Sequence, residues 1–138
     1  MIRFGLCCKF RKEAIAFKIT KATYISKLTK NERLLKLSDL CRHNAIMLQQ
    51  AAEYCVKNKI GCFRVNSQIL PLKTHPELGY DILDIPDGKE IKKQFIQCGQ
   101  YSQKNNLRFS FHPDQFILLS SPRDDVTQKS IEELEYQA

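Results

Sequence analysis

The chain reads as strand, helix, strand, helix, strand, helix, an order that predicts an α/β fold built on a parallel sheet. Three observations carry that reading. A long amphipathic stripe separates two short apolar runs, the run at 107–112 alternates strictly, and one face of that last run is polar. Strands joined by helices of this length form parallel sheets through crossover connections. In an open doubly wound sheet both strand faces are covered and read as apolar. Here Arg108, Ser110 and His112 share one face. A polar inner face suits a (β/α)8 barrel of the TIM type, whose chemistry gathers at the C-terminal ends of its strands.

The elements follow in order. Residues 2–7 (IRFGLC) form the first strand. Lys9 to Lys30 is a basic connection in which Lys9, Arg11, Lys12, Lys18, Lys21, Lys27 and Lys30 face the single acid Glu13. Thr29-Lys-Asn-Glu32 has the capping-box pattern, a hydroxyl and a carboxylate able to satisfy opposite sides of one first turn. The helix it opens is expected to reach about Lys57, because Leu34, Leu37, Cys41, Ala45, Leu48, Ala52 and Cys55 recur at spacings of three and four. Asn58-Lys-Ile-Gly61 supplies its stop, with Gly61 expected as the left-handed cap. Cys62–Asn66 is the second strand. The stretch 66–88 holds Pro71, Pro76, Gly79 and Pro86 and reads as an elaborate loop, of a length that is uncommon unless functional. A second helix covers 89–103, with Ile91, Phe95, Cys98 and Ser102 inward. The third strand is 107–112, and a third helix opens at Asp124 or Asp125. Beyond this alternation no internal repeat is expected.

A barrel of this kind takes about 250 residues, whereas 138 residues hold three βα units. The chain is therefore expected to be the N-terminal portion of a single larger domain. The longest apolar runs, such as 14–17 and 116–119, are four residues long, far short of the roughly 20 that a membrane helix needs. With 22 Lys and Arg against 15 Asp and Glu the net charge is +7, a balance that favours polyanionic partners. None of the six cysteines forms a CxxC pair, which argues against a zinc ribbon and a thioredoxin-like motif. Cys41, Cys55 and Cys98 are expected as small core residues in a reducing cytoplasm.

Two of the three histidines share a context, Thr74-His75-Pro76 and Phe111-His112-Pro113, each after a predicted strand. Neutral imidazoles converging with carboxylates suit zinc or manganese. The other reading is that one or both only hydrogen-bond loop backbone. His43, in the first helix, is expected at the solvated surface. Arg64 and Asn66, at the end of the second strand, could contact phosphate or orient ligands, or could hydrogen-bond inside the barrel. The basic connection interleaves Phe10, Phe17 and Tyr24 with its cations. Lys9, Arg11, Lys12, Lys18 and Lys21 are candidates for contacts with a nucleic-acid backbone, the alternative being a solvated lysine-rich loop.

Phe63-Arg-Val-Asn-Ser67, Leu70-Pro-Leu-Lys-Thr-His-Pro76 and Arg108-Phe-Ser-Phe-His-Pro-Asp-Gln-Phe116 resemble the UV damage endonuclease family, as do Ser121-Pro122 and Glu133-Leu134-Glu-Tyr136. The resemblance runs along the whole chain but covers only the N-terminal half of that family's barrel. It implies a metal-dependent TIM-barrel endonuclease that nicks DNA 5′ to UV photoproducts during repair. It further implies that His75 and His112 are ligands of a divalent-metal cluster, manganese first with magnesium, cobalt or zinc as alternatives. Gln115 and Phe116 are implied as the pair that probes the lesion by wedging into the duplex. The implied partners are UV-damaged double-stranded DNA and either a missing C-terminal half or a second polypeptide. Leu6 and Phe10 stand near places where the family carries an aromatic residue and an asparagine. With the remaining ligands in the other half, this chain alone is expected to bind metal poorly and cut nothing. Two alternatives are a non-catalytic DNA-binding remnant, which would ignore chelator, and a sugar isomerase-like barrel, which would turn over sugar without binding DNA.

Overall fold

The computed structural model describes residues 3–114 and 117–137. Its strands are β1 (Gly5–Cys7), β2 (Cys62–Asn66) and β3 (Arg108–His112), and its helices are α1 (Ala22–Ile25), α2 (Lys30–Lys57), α3 (Gly88–Lys104) and α4 (Asp124–Gln137). The strands form one parallel sheet in the order β1-β2-β3. Each is joined to the next through a helix, as the alternation predicts. β1 is shorter than expected, and the basic connection contains the single helical turn α1, which the charge pattern hides.

Register divides the sheet into two unlike faces. Leu6 pairs with Phe63 and Phe63 with Phe109, while Val65 pairs with Phe111. These side chains lie under the helices. Phe63 is fully buried, with the rings of Phe10, Phe17 and Phe109 at 5.9, 6.3 and 6.3 Å from its own. Met47, Leu48, Ala51, Ala52 and Cys55 of α2 and Cys98 of α3 complete this core. Cys41 and Leu37 of α2 join Ile91 of α3 in a second cluster around Tyr80 and Ile85. Burial pushes the Cys41 and Cys55 thiols up to about 11 and the Cys98 thiol up to about 12, the behaviour of small apolar residues. The opposite face carries Arg64, Arg108, Ser110 and His112, all exposed, with Cys7 beside them.

The capping box forms as predicted, Thr29 Oγ1 accepting from the Glu32 N–H and the Thr29 N–H donating to Glu32 Oε2 at 2.9 Å. The α2 terminus differs from expectation. Lys59, at φ 56°, takes the left-handed position, and no described glycine has positive φ. The helix instead ends on Asn58, whose Nδ2 donates to Tyr54 O at 2.8 Å. The end of α3 repeats this arrangement: Asn105 Nδ2 donates to Tyr101 O at 2.8 Å, and Asn106 has φ 55°. The two turns share the pattern Tyr-x-x-Lys-Asn-x-(Ile/Leu), at 54–60 and 101–107. This internal repeat, against the expectation of none, marks where a helix turns back into the sheet.

Candidate functional site

At the C-terminal edge of the sheet, Cys7 ends β1, Asn66 ends β2 and His112 ends β3, with Asn66 and His112 in register. The chain leaving β1 brings Lys9 and Arg11 over the same edge. Together with Cys8 and Ser67 these residues line a cleft of about 450 Å³, and among the described residues no carboxylate stands in its wall. Its polar groups are cations, amide, hydroxyl and imidazole, a set suited to an anion. Asn66 is half-buried and its Oδ1 accepts from the Gln68 N–H at 2.9 Å, so it shapes the turn after β2. Arg64 lies one pleat below on the open face and is exposed. Burial pushes the Cys8 thiol up, against the opposing pull of Arg64 and Lys9.

The basic connection divides among several roles. Lys9 and Arg11 reach the cleft. Lys12 and Lys21 are exposed away from its wall, and the Lys18 backbone is held on α2. Phe10 and Phe17 are not free to stack on bases, because their rings pack on Phe63. Only Tyr24 of the three aromatics is exposed. His43 is half-buried rather than at the solvated surface, with Nε2 at 2.8 Å from Ala16 O.

His75 sits in the loop after β2 within a tightly tied turn. Its Nδ1 accepts from the Glu77 and Leu78 N–H groups, both at 3.2 Å, and its carbonyl accepts from the Gly79 N–H at 2.7 Å. A Cβ on residue 79 would come within 2.6 Å of that carbonyl, so only glycine fits there. Tyr80 anchors the loop from below: its hydroxyl donates to Pro71 O at 3.1 Å, and Lys73 Nζ donates to the Tyr80 carbonyl at 2.6 Å. From the other side, Thr74 Oγ1 donates to Glu133 Oε2 on α4 at 2.6 Å. Between this loop and α4 runs a second cleft of about 430 Å³, whose wall includes His75, Asp114, Lys129, Glu133 and Tyr136. Burial pushes the Tyr136 and Tyr80 hydroxyls up, so both stay protonated.

The two histidines therefore line different clefts, which share Ser67. A neutral ring whose Nδ1 accepts amide hydrogen bonds carries its proton on Nε2, whereas a metal ligand offers a free lone pair on one of the two nitrogens. As placed, His75 turns Nδ1 to the loop backbone, while His112 offers an exposed imidazole. Among the described residues no group of three or more His, Cys, Asp or Glu side chains is arranged to hold a metal ion. Gln115 and Phe116 lie outside the described residues. The sequence reading missed Asn44 and the Tyr80 anchor; an Asn in the middle of an apolar helical stripe was the available signal for the first.

A parallel βα array with its polar side chains at the strand ends suits part of a (β/α)8 barrel of the TIM type. Known proteins agree. The crystal structure of SacUVDE superposes on 99% of this chain and 43% of its own, with a TM-score of 0.78 and 28% identity. UV DNA damage endonucleases of Bacillus pumilus and Nostoc are each 31% identical, over 118 and 135 residues, or 86% and 97% of this chain. Residues 2–138 match the UV-endonuclease UvdE family, and the chain belongs to it. The matched segments are 35% and 40% of those two relatives, so the chain spans little more than a third of their length. No helix among the described residues is long and apolar enough to cross a membrane.

Proposed function

We propose that this chain is the N-terminal portion of a single TIM-barrel endonuclease domain that incises DNA 5′ to UV photoproducts. The observation that carries the reading is the carboxylate-free cleft where Lys9 and Arg11 meet Asn66 and His112, in a chain of the UV-endonuclease family. Two exposed cations there neutralise backbone phosphates and release counterions, which positions a duplex without reading its sequence. Ser67 and Asn66 add hydrogen-bonding groups between the cations and His112.

The name of the relatives, UV DNA damage endonuclease, supports UV-damaged double-stranded DNA as the partner. Gln115 and Phe116 are assigned to probing the lesion, because a flat ring beside an amide replaces stacking that disappears when a damaged dinucleotide leaves the helix. A divalent metal, manganese ahead of magnesium, cobalt or zinc, belongs to the same proposal. His112 is its donor from this portion, and His75 joins only after Nδ1 releases its amide bonds. The other ligands come from strands beyond these three, in the same polypeptide or a second one, and a cytoplasmic location completes the reading.

The test is binding of the 138-residue chain to irradiated and unirradiated duplexes, followed by incubation with irradiated plasmid and Mn²⁺. Tighter binding to irradiated duplex without nicking is the expected result. Equal affinity for the two duplexes would remove the lesion assignment. Mn²⁺-dependent nicking would overturn the requirement for further ligands.

A further inference from the structure

Asn44 lies in the middle of α2, fully buried, outside both clefts. A buried amide costs free energy unless it is hydrogen-bonded, and this one is bonded on both ends. Its Oδ1 accepts from the Lys18 N–H at 2.8 Å, and its Nδ2 donates to Lys18 O and to Ile69 O, both at 2.9 Å. Lys18 belongs to the basic connection after β1 and Ile69 to the loop after β2. One side chain thus ties together the two loops that carry the cations and His75.

The next bond along the chain completes the device. The carbonyl of Ile69 and the N–H of Leu70 belong to one planar peptide group. Asn44 Nδ2 reaches that group from α2, and the Leu70 N–H donates to Tyr136 Oη of α4 at 3.0 Å. The peptide is held from two helices at once. It stands where the loop to His75 begins: Asn66 O accepts from the Ile69 N–H at 3.1 Å, and Leu70 opens the Leu-Pro-Leu-Lys-Thr-His segment.

We propose that Asn44 and Tyr136 are positioning residues that act as one clamp on the 69–70 peptide, holding the basic connection and the His75 loop as a single DNA-facing surface. The proposal rests on the DNA reading above. Its consequence is coupling: loosening the clamp at α4 loosens the basic connection as well, although Tyr136 bonds only the second loop. A loosened basic connection in turn neutralises fewer phosphates.

The reporters are the two amides the clamp holds, Lys18 and Leu70. Hydrogen exchange on the full chain is compared for wild type, Tyr136→Phe and Asn44→Asp. Tyr136→Phe keeps the ring against Phe111, whose centroid is 6.5 Å away, and removes only the acceptor. It is expected to speed exchange at both Leu70 and Lys18 by about tenfold, with the α2 amides of Leu48 and Ala52 unchanged. Asn44→Asp keeps the acceptor for Lys18 but sets a carboxylate against two carbonyls, and is expected to free both loops. Faster exchange confined to Leu70 in Tyr136→Phe would overturn the coupling, even if Asn44→Asp fails to fold. In duplex binding, Tyr136→Phe is expected to lower the slope of log K against log salt by about 0.9 for each phosphate the chain no longer neutralises. A general loss of folded chain leaves that slope alone. Wild type that fails to bind duplex would sink the DNA reading while the exchange experiment still decides the clamp. Wild type that binds, with Tyr136→Phe matching its affinity and slope, would overturn the positioning role.

Discussion

Replacing Lys9 and Arg11 together by alanine tests the carboxylate-free cleft most directly. Both side chains are exposed and line its wall, so their removal leaves the core intact and is expected to change stability by less than about 0.5 kcal/mol. Each cation that neutralises one phosphate contributes about −0.9 to the slope of log K against log salt, so the pair contributes about −1.8. Raising salt fourfold, from about 50 to about 200 mM, therefore costs the wild type about 12-fold more affinity than it costs the double variant. The assay is fluorescence anisotropy with a labelled irradiated duplex across that salt range. Lys57→Ala with Lys104→Ala is the control, since those lysines end α2 and α3 where the chain turns into the opposite end of the sheet. The control is expected to keep the wild-type slope. Equal slopes for wild type and the Lys9/Arg11 variant would refute the claim that this cleft holds backbone phosphate, whatever the absolute affinities.

Gly88→Ala is expected to destabilise the chain by at least about 3 kcal/mol, read as a fall in the urea midpoint, because its Cβ would lie 1.8 Å from the Ile82 carbonyl oxygen. The buried thiols set an alkaline limit. The unfolded chain ionises its cysteines near 9.0, while the folded chain holds Cys41 and Cys55 near 11 and Cys98 near 12. Their contribution to stability is complete below pH 9 and is lost as pH rises through 11–12, which denaturant midpoints at rising pH will show. At pH 8 a thiol reagent should modify exposed Cys7 well before these three.

The parts of the fold that were legible in the sequence are those governed by local pattern. The α2 stripe from Leu34 to Cys55 stated both the helix and its buried face, and Thr29 with Glu32 stated where it begins. The alternation at 107–112 placed Phe109 and Phe111 under the helices and Arg108, Ser110 and His112 on the open side. Less legible were features set by contacts distant in sequence. The left-handed residue after α2 is Lys59 rather than Gly61, because the Asn58 amide closes the helix earlier than a glycine rule allows. Phe10 and Phe17 read only as aromatics interleaved with cations, and it is Phe63, distant in sequence, that takes up their rings. The sequence pattern set both histidines beyond strand ends but not in the two separate clefts they line. His75 and His112 have the same dipeptide context, yet the turn closed by Gly79 occupies Nδ1 of the first and nothing comparable among the described residues restrains the second.

The open face of the sheet sets a constraint on whatever lies against it. Parallel sheets are ordinarily covered on both sides, and among the described residues the helices cover one. An apolar layer could not close the other. Arg64 and Arg108 stand on it in neighbouring strands, with Arg64 opposite Ser110 and Arg108 opposite Cys62. Taking a guanidinium out of water without a partner costs several kcal/mol, and a carboxylate with good hydrogen-bond geometry is what offsets that cost. The surface that completes this sheet therefore brings acids to Arg64 and Arg108 or keeps water between the layers. Barrels of this type gather their chemistry at the C-terminal ends of the strands, the edge of this sheet where Lys9, Arg11, Asn66 and His112 stand.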